Sequence, residues 1–294
     1  MSAGRPVVPV LLVCAGTGLF GTIGTARALG PEQAAASAIT LVRLAVAVSL
    51  MWLLVLSTGR RRGLLPVLRS RPVWAAGVAQ ASFQVCFLGA VTRVGVATGT
   101  LVAIGMTPLL TGLVQGWRTR RITRAWASAT VVGLVGLVLL VGIGDGSDAP
   151  GLMLALASAA SYATYITLGS GIGHRGLDPT QVLPVIFTVA AVLQLPALAL
   201  ADWSWLATSS GRWMVVYLAL VPTVLAYAVF NRGLAGVDPA TASTLGLVEP
   251  VVATALAVLV LDEQLSAVQT VGALLVGVGV VLAARTAADD VTAA

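Results

Sequence analysis

The sequence predicts an all-α integral membrane protein, with ten transmembrane helices arranged as two inverted five-helix repeats around a central cavity. Three observations carry that expectation. Charged residues make up 10% of the chain and hydrophobic ones 58%, with a mean hydropathy of +0.98. Apolar runs of membrane-crossing length follow one another from end to end. The second half repeats the first at an offset of about 143 residues, with loops of opposite charge.

Composition comes first. A soluble domain covers its surface with roughly 25% charged residues, and this chain lacks them, so the solvent it is built for is lipid. The formal charge of +6 comes entirely from arginines on the basic side. They cluster between apolar runs rather than along an amphipathic face, the pattern of topology determinants and not of a nucleic-acid partner. Cys14 and Cys86 lie inside apolar runs without CxxC or Cys/His spacing, which excludes a disulfide framework and a zinc site. The first run, from Val7, is too long for the core of a signal peptide and more spans follow it, so it is the first helix.

A helix needs about 20 apolar residues to cross the hydrocarbon core, because an unsatisfied backbone group there costs several kcal/mol. Charge-free runs at Val7–Ala26, Pro72–Thr92, Val94–Trp117, Ala125–Gly144, Ala149–Gly173, Pro179–Ala201, Trp213–Asn231 and Gln264–Ala284 meet that length. Two more, Gln33–Gly59 and Pro239–Leu261, each contain one charge, Arg43 and Glu249. The sixth run is made less apolar by Ser158, Ser161, Tyr162, Thr164 and Tyr165.

Arginine placement sets the orientation. About thirteen of the 17 arginines fall on one side, among them Arg60, Arg61, Arg62, Arg69 and Arg71 after span 2 and Arg118, Arg120, Arg121 and Arg124 after span 4. Arg5, Arg175, Arg232 and Arg285 share that side, while Glu32, Asp145, Asp148, Asp202, Asp262 and Glu263 sit opposite. The positive-inside rule then puts both termini in the cytoplasm. Trp203, Trp205 and Trp213 suit an outer interfacial anchor, and Trp117 and Trp126 an inner one.

The repeat lays Val94-Gly95-Val96-Ala97-Thr98 on Val237-Asp238-Pro239-Ala240-Thr241. With a one-residue gap, Thr107-Pro108-Leu109 falls on Glu249-Pro250-Val251, and Gly136-Leu137-Val138-Leu139 falls on Gly279-Val280-Val281-Leu282. Five spans per half is an odd number, so the halves enter the membrane in opposite senses. The loop after span 4, Arg118-Thr119-Arg120-Arg121, is matched after span 9 by Asp262-Glu263, as an inverted topology requires. Exchanging the conformations of two such halves turns a cavity open on one side into one open on the other, which favours transport over a structural or catalytic role.

Polar groups inside the bilayer are costly unless they pair or line a wet cavity. Gln80 and Gln84 are four apart and share one helix face; the shift places them on Thr223 and Tyr227, and it places Phe20 and Thr22 on Tyr162 and Thr164. Interhelical hydrogen bonding, at about 0.6 kcal/mol per pair, is one account of these stripes. A substrate path is the other, favoured by glutamines that each have four groups to satisfy. Thr107-Pro108 and Glu249-Pro250 are a related pair of candidate helix kinks. Glu249 is the one acid deep in a span and the candidate for proton coupling. Arg43 has no charged counterpart in the second half; a structural ion pair, for example with Glu249, and an anion-binding role both remain open. There are no paired catalytic carboxylates and no HExxH, GxSxG or phosphate-binding loop, so no enzyme, metal or cofactor is expected.

The segments Tyr217-Leu-Ala-Leu-Val-Pro-Thr-Val-Leu-Ala-Tyr227, Asn231-Arg-Gly-Leu, Ala240-Thr-Ala-Ser, Leu247-Val-Glu-Pro250 and Leu261-Asp-Glu-Gln-Leu-Ser266 resemble the second half of EamA-type proteins of the drug/metabolite transporter superfamily. The Gly272–Leu282 and Pro108 segments are similar to the same pattern, and the resemblance covers nearly the whole chain. It implies two EamA-type repeats, residues 1–144 and 145–294, with helices 1, 3, 4, 6, 8 and 9 around the cavity. It also implies a multi-pass carrier of the bacterial inner membrane that exports small polar metabolites such as amino acids. Substrate-facing candidates are then Thr22, Gln80, Gln84, Thr107, Tyr162 and Tyr227, with Glu249 for coupling and protons, solute and lipid as partners. Members of the family often carry Trp-Gly where this chain has Phe20-Gly21, a difference that would reshape the cavity. The alternatives are an uncoupled facilitator and a non-transporting membrane scaffold.

Overall fold

The computed structural model describes residues 7–120, 122–142, 148–196 and 202–292, together with their side chains except those of Arg61, Arg62 and residues 287–292. Arg5, Arg121, Asp145 and the far ends of the fifth and seventh predicted runs, at Gly144 and Ala201, lie outside the described residues. Every regular element among the described residues is helical. In order they are α1 (Val7–Phe20), α2 (Thr22–Ala28), α3 (Ala36–Ser57), α4 (Leu64–Leu68), α5 (Arg71–Thr119), α6 (Arg124–Val141), α7 (Ala149–His174) and α8 (Pro179–Gln194). Then come α9 (Ser209–Ala219), a π-helical segment (Leu220–Leu225), α10 (Ala226–Leu234), α11 (Pro239–Leu245), α12 (Val248–Leu261) and α13 (Ala267–Thr292). Joined across their short breaks, eight helices are long and apolar enough to cross a bilayer, and Pro179–Gln194 is a shorter apolar one.

At 49 residues, a straight α5 would reach about 73 Å, more than twice a hydrocarbon core. It folds back at Gly95, whose φ of 80° and ψ of 165° are open only to glycine. The reversal is tight: a Cβ on Gly99 would stand 3.3 Å from Val91 Cα, although eight residues separate them along the chain. The sequence places the turn at Arg93 because charge marks it; the backbone turns two residues later because glycine permits it. α5 packs chiefly against α7, with Phe83 of the arm 71–94 stacked on Tyr162 and Gly89 against Leu154.

Two other breaks follow from prolines, which cannot complete a helix. Pro222 has no N–H for the Leu218 carbonyl, and the chain there widens into the π segment while Thr223 Oγ1 donates to Leu218 O at 2.7 Å. Pro250 releases Gly246 O in the same way, and α11 ends one residue earlier, with Glu249 N reaching back to Gly246 O at 3.0 Å. A break at Gly21 separates α1 from α2.

The packing is inverted relative to a soluble protein. Leu11, Leu53, Leu113, Met153, Leu259 and Leu274 point outward from six different helices, while Gln80, Thr107, Thr111, Asn231, Ser243 and Thr244 are buried. Lipid accepts the first set and cannot satisfy the second. The main core joins α1, α3, the first arm of α5, α7, α8 and α10 through Phe20, Leu44, Tyr165, Phe187, Tyr227 and Phe230. On one side of the bundle α6 and α13 run antiparallel at backbone contact. A Cβ on Gly136 would lie 2.5 Å from Val276 N, and one on Gly279 would lie 2.7 Å from Gly133 N.

Two ion pairs lie at opposite ends of the spans. Arg60, just past α3, meets Asp178 at the start of α8, and Arg93, at the α5 reversal, meets Asp148 at the start of α7. Burial alone would raise the Asp178 carboxyl, but hydrogen bonds from Thr180 and the charges of Arg60 and Arg232 outweigh it and hold the group below its ordinary value. Of the tryptophans read as interfacial anchors, Trp117 and Trp213 are exposed. Trp205 is instead buried and donates to Asp202 O, so it is not an anchor; Trp126 is half-buried and lies over Gly112.

Candidate functional site

Gln80 and Gln84 occupy successive turns of the first arm of α5 and face inward, at 1% and 9% exposure. Gln80 Nε2 donates to Tyr227 Oη on α10 at 2.7 Å. Gln84 Oε1 accepts from Arg43 Nη2 on α3 at 3.1 Å. Three helices far apart in sequence are thus joined by one polar chain, Arg43–Gln84 and Gln80–Tyr227. It is incomplete: Arg43 Nε, Gln80 Oε1 and Gln84 Nε2 are sealed from solvent and have no partner. Each such group carries a desolvation penalty of about 1–3 kcal/mol, more where charge is involved, so the site is built to be completed.

Aromatic rings wall this chain. Tyr227 lies 4.7 Å between centroids from both Phe20 and Phe187 and 5.9 Å from Tyr165. Tyr162 stacks on Phe83 at 4.7 Å and on Tyr165 at 6.1 Å. The wall takes one face from α7 and another from α10, which is why tyrosines at 162, 165 and 227 converge.

Glu249 opens α12, directly after the break at Gly246–Leu247, where the unpaired N–H groups of a helix start favour an acid. With Thr107, Tyr162, Ser243 and Phe230 it lines an enclosed cavity of about 10 Å³, room for roughly one water. No ion pair joins it to Arg43 among the described residues; those present are Arg60–Asp178 and Arg93–Asp148. Both charges nevertheless lie within electrostatic reach of the Tyr227 hydroxyl, one on the glutamine side and one on the cavity side.

Of the residues singled out from sequence, Gln80, Gln84 and Tyr227 come together with Arg43, and Thr107, Tyr162 and Glu249 share the small cavity. Thr22 joins neither group; its hydroxyl donates to Leu19 O within its own turn. Pro108 sits buried in a continuous helix, with Thr107 Oγ1 on Ala103 O and Thr111 Oγ1 on Thr107 O, whereas Pro250 accompanies a real interruption. Asn231, Tyr165 and Ser243 carry no role in the sequence reading. Asn231 Nδ2 donates to Tyr165 Oη at 2.7 Å, and Ser243 Oγ meets Thr111 Oγ1 at 2.6 Å. A signal for two of them exists, since Asn231 follows Tyr227 by four and Tyr165 follows Tyr162 by three, which puts each pair on one face. An open groove of about 670 Å³ on α12 and α13 is lined by Leu274, Val278 and Val281, and is apolar except for Thr270 and Arg285. It faces outward and is separate from the polar chain.

Tyr227→Phe is expected to strand Gln80 with neither amide group paired and to cost about 1–3 kcal/mol. The loss would be read as a lower thermal unfolding midpoint in detergent. Adding Gln80→Met should recover most of it, because an apolar pair needs no hydrogen bond. Equal midpoints for Y227F and the parent protein would show that the contact carries no weight.

Comparison with known proteins agrees with this geometry. The EamA-like transporter family model matches residues 149–285. An uncharacterized transporter of Bacillus subtilis (strain 168), YwfM, is 35% identical over 272 residues, covering 90% of this chain and 89% of its own. A protein solved by crystallography superposes with a TM-score of 0.82 over 95% of this chain and 98% of its own, at 22% identity, a likeness of fold. A helical bundle with lipid-facing leucines, an unfinished polar chain in its middle and these relatives is a multi-pass membrane transporter and no enzyme: the chain belongs to the EamA-like transporter family.

Proposed function

We propose that this transporter exports small polar metabolites such as amino acids across a bacterial inner membrane by alternating access, with Glu249 carrying the coupling proton. The observation that carries the reading is the sealed but unfinished polar chain Arg43–Gln84 and Gln80–Tyr227 in the middle of the bundle. Groups left unpaired in lipid surroundings are retained where a solute or water completes them.

The two-fold organisation, residues 1–144 against 145–294, is supported by the α6–α13 seam. Gly136 approaches Gly272 and Val276, and Gly279 approaches Ala129 and Gly133. A shift of about 143 residues turns one set into the other, which is what a self-complementary, antiparallel contact between inverted halves produces. Partner choice elsewhere follows the same exchange: α1 packs on α10 as α7 packs on α5, and α3 packs on α9 as α8 packs on α5. The ion pairs agree in sidedness, each joining loops that the ten-span map puts in one compartment.

The cavity beside Glu249, about 10 Å³, admits no metabolite. Transport therefore requires the helices around it to part, and interruptions at Gly21, Pro222 and Gly246 supply places where they can bend. Purified protein in proteoliposomes should exchange labelled amino acids against an unlabelled internal pool. Absence of flux with every member of an amino-acid, amine and organic-acid panel would favour the scaffold instead. Reporters beside Arg61 and Glu263 are expected in opposite compartments, and finding them in the same one would end the inverted arrangement.

A further inference from the structure

Arg43 stands seven residues inside α3, about 10 Å along the helix axis from its start. A charge that deep costs about 2.5–3.5 kcal/mol unless it meets a counter-charge or water. What it meets is a neutral amide, Gln84 Oε1 at 3.1 Å. The two ion pairs among the described residues are at the ends of the spans, and Glu249 belongs to neither. The cation is therefore uncompensated. Beside it, Arg43 Nε and Gln84 Nε2 are each a buried donor with no acceptor, on two residues already bonded to one another. The arginine residue as a whole is half-buried, although its Nε is sealed from solvent.

We propose that Arg43, with Gln84 beside it, is the docking point for a carboxylate on the transported solute, so that the substrates are small carboxylates whatever else they carry. This rests on the transport reading above and names the substrate class of that site. One positive charge and two free N–H donors match a monoanion with two oxygens, and guanidinium is the side chain that meets such a group in a fork. A phosphate monoester brings about −1.5 to −2 charges and three acceptor oxygens, which would leave charge and oxygen unmet here. The anchor is also one-sided. The shift that relates the halves places an apolar residue, Ile186, opposite Arg43, and Ile186 is buried in the core. A solute held by its carboxylate thus has one orientation in a nearly symmetric chamber, its remainder directed at the tyrosines.

The test is counterflow in proteoliposomes with alanine against alaninamide and leucine against leucinamide, pairs that differ only in the anionic group, and with glycerol 3-phosphate against glycerate as the phosphate arm. Carboxylates should exchange, and their amides should need about 10- to 100-fold higher concentration for half-maximal flux, the worth of a hydrogen bond to a charged group. Arg43→Gln should abolish that discrimination by weakening the carboxylates alone. Arg43→Lys should recover part of it, keeping the charge without the fork. Amides exchanged as well as carboxylates by the parent protein would overturn the docking role while leaving transport standing; preference for glycerol 3-phosphate would likewise overturn it. Absence of flux with every solute would remove the transport reading and this one with it. Should R43Q fail to reconstitute, the comparison of acid with amide on the parent protein decides alone.

Discussion

Gly136→Leu is expected to cost more than any single change in the polar interior, beyond about 3 kcal/mol, with loss of folded protein on purification. A Cβ at that position would lie 2.5 Å from Val276 N and 2.8 Å from Gly272 O. Both are backbone atoms, which cannot swing aside as a side chain would, so α6 and α13 must part along their length. Overpacking at a yielding site costs typically 1–3 kcal/mol, occasionally more, and here it also removes close contacts at Gly133 and Gly279. Gly277→Leu, on the partner helix α13, is the control, because nothing lies within 4 Å of a Cβ there. It exchanges a poor helix former for a good one facing outward and should leave the unfolding midpoint unchanged or slightly raised. Equal damage from the two substitutions would mean that leucine is tolerated poorly on either helix, facing the seam or not, and that the seam has no special standing.

Glu249→Gln is expected to abolish the response of transport to a pH gradient while leaving exchange in place. Glutamine keeps the shape and acceptor oxygen of a protonated glutamate but has no proton to release. With one proton per cycle, a gradient of one pH unit sustains about a tenfold solute ratio, since each unit is worth about 1.36 kcal/mol. For an exporter that takes up a proton as solute leaves, the parent protein should collect solute in the more acidic compartment. The variant should approach equal concentrations. The position supports the experiment: Glu249 sits at a helix start, beside Thr107, Tyr162 and Ser243, in a closed cavity of about 10 Å³. An E249Q protein that still concentrates solute tenfold would remove Glu249 from the coupling path and favour another carrier of the proton. A parent protein indifferent to pH would favour the uncoupled facilitator.

The helical membrane class is plain in the sequence because lipid imposes one rule, that backbone groups be satisfied within the segment, and the rule leaves apolar runs of a set length. Finer detail depends on which residue breaks a run. Arg93 marks a loop by charge, yet Gly95 makes the turn, because φ of 80° decides where the chain can reverse. Gln80 and Gln84 stand out through their spacing, but their partners Tyr227 and Arg43 sit on other helices, and only packing joins them. Thr22 has its place in the repeat, but its hydroxyl bonds to Leu19 O within its own turn, a local contact that spacing does not reveal. Asn231 and Ser243 look like ordinary polar residues until their partners, Tyr165 and Thr111, arrive from elsewhere in the chain.

The wide turn at Leu220–Leu225 has a further consequence for Tyr227, which lies just beyond it. That turn holds one residue more than an α-helical turn, so everything after it is offset by roughly 100° about the axis compared with an unbroken helix. Were the Thr223 hydroxyl to let go of the Leu218 carbonyl and the slack close up, α10 would roll like a key in a lock. The phenol now capping Gln80 would swing away with it, freeing an amide for whatever arrives next.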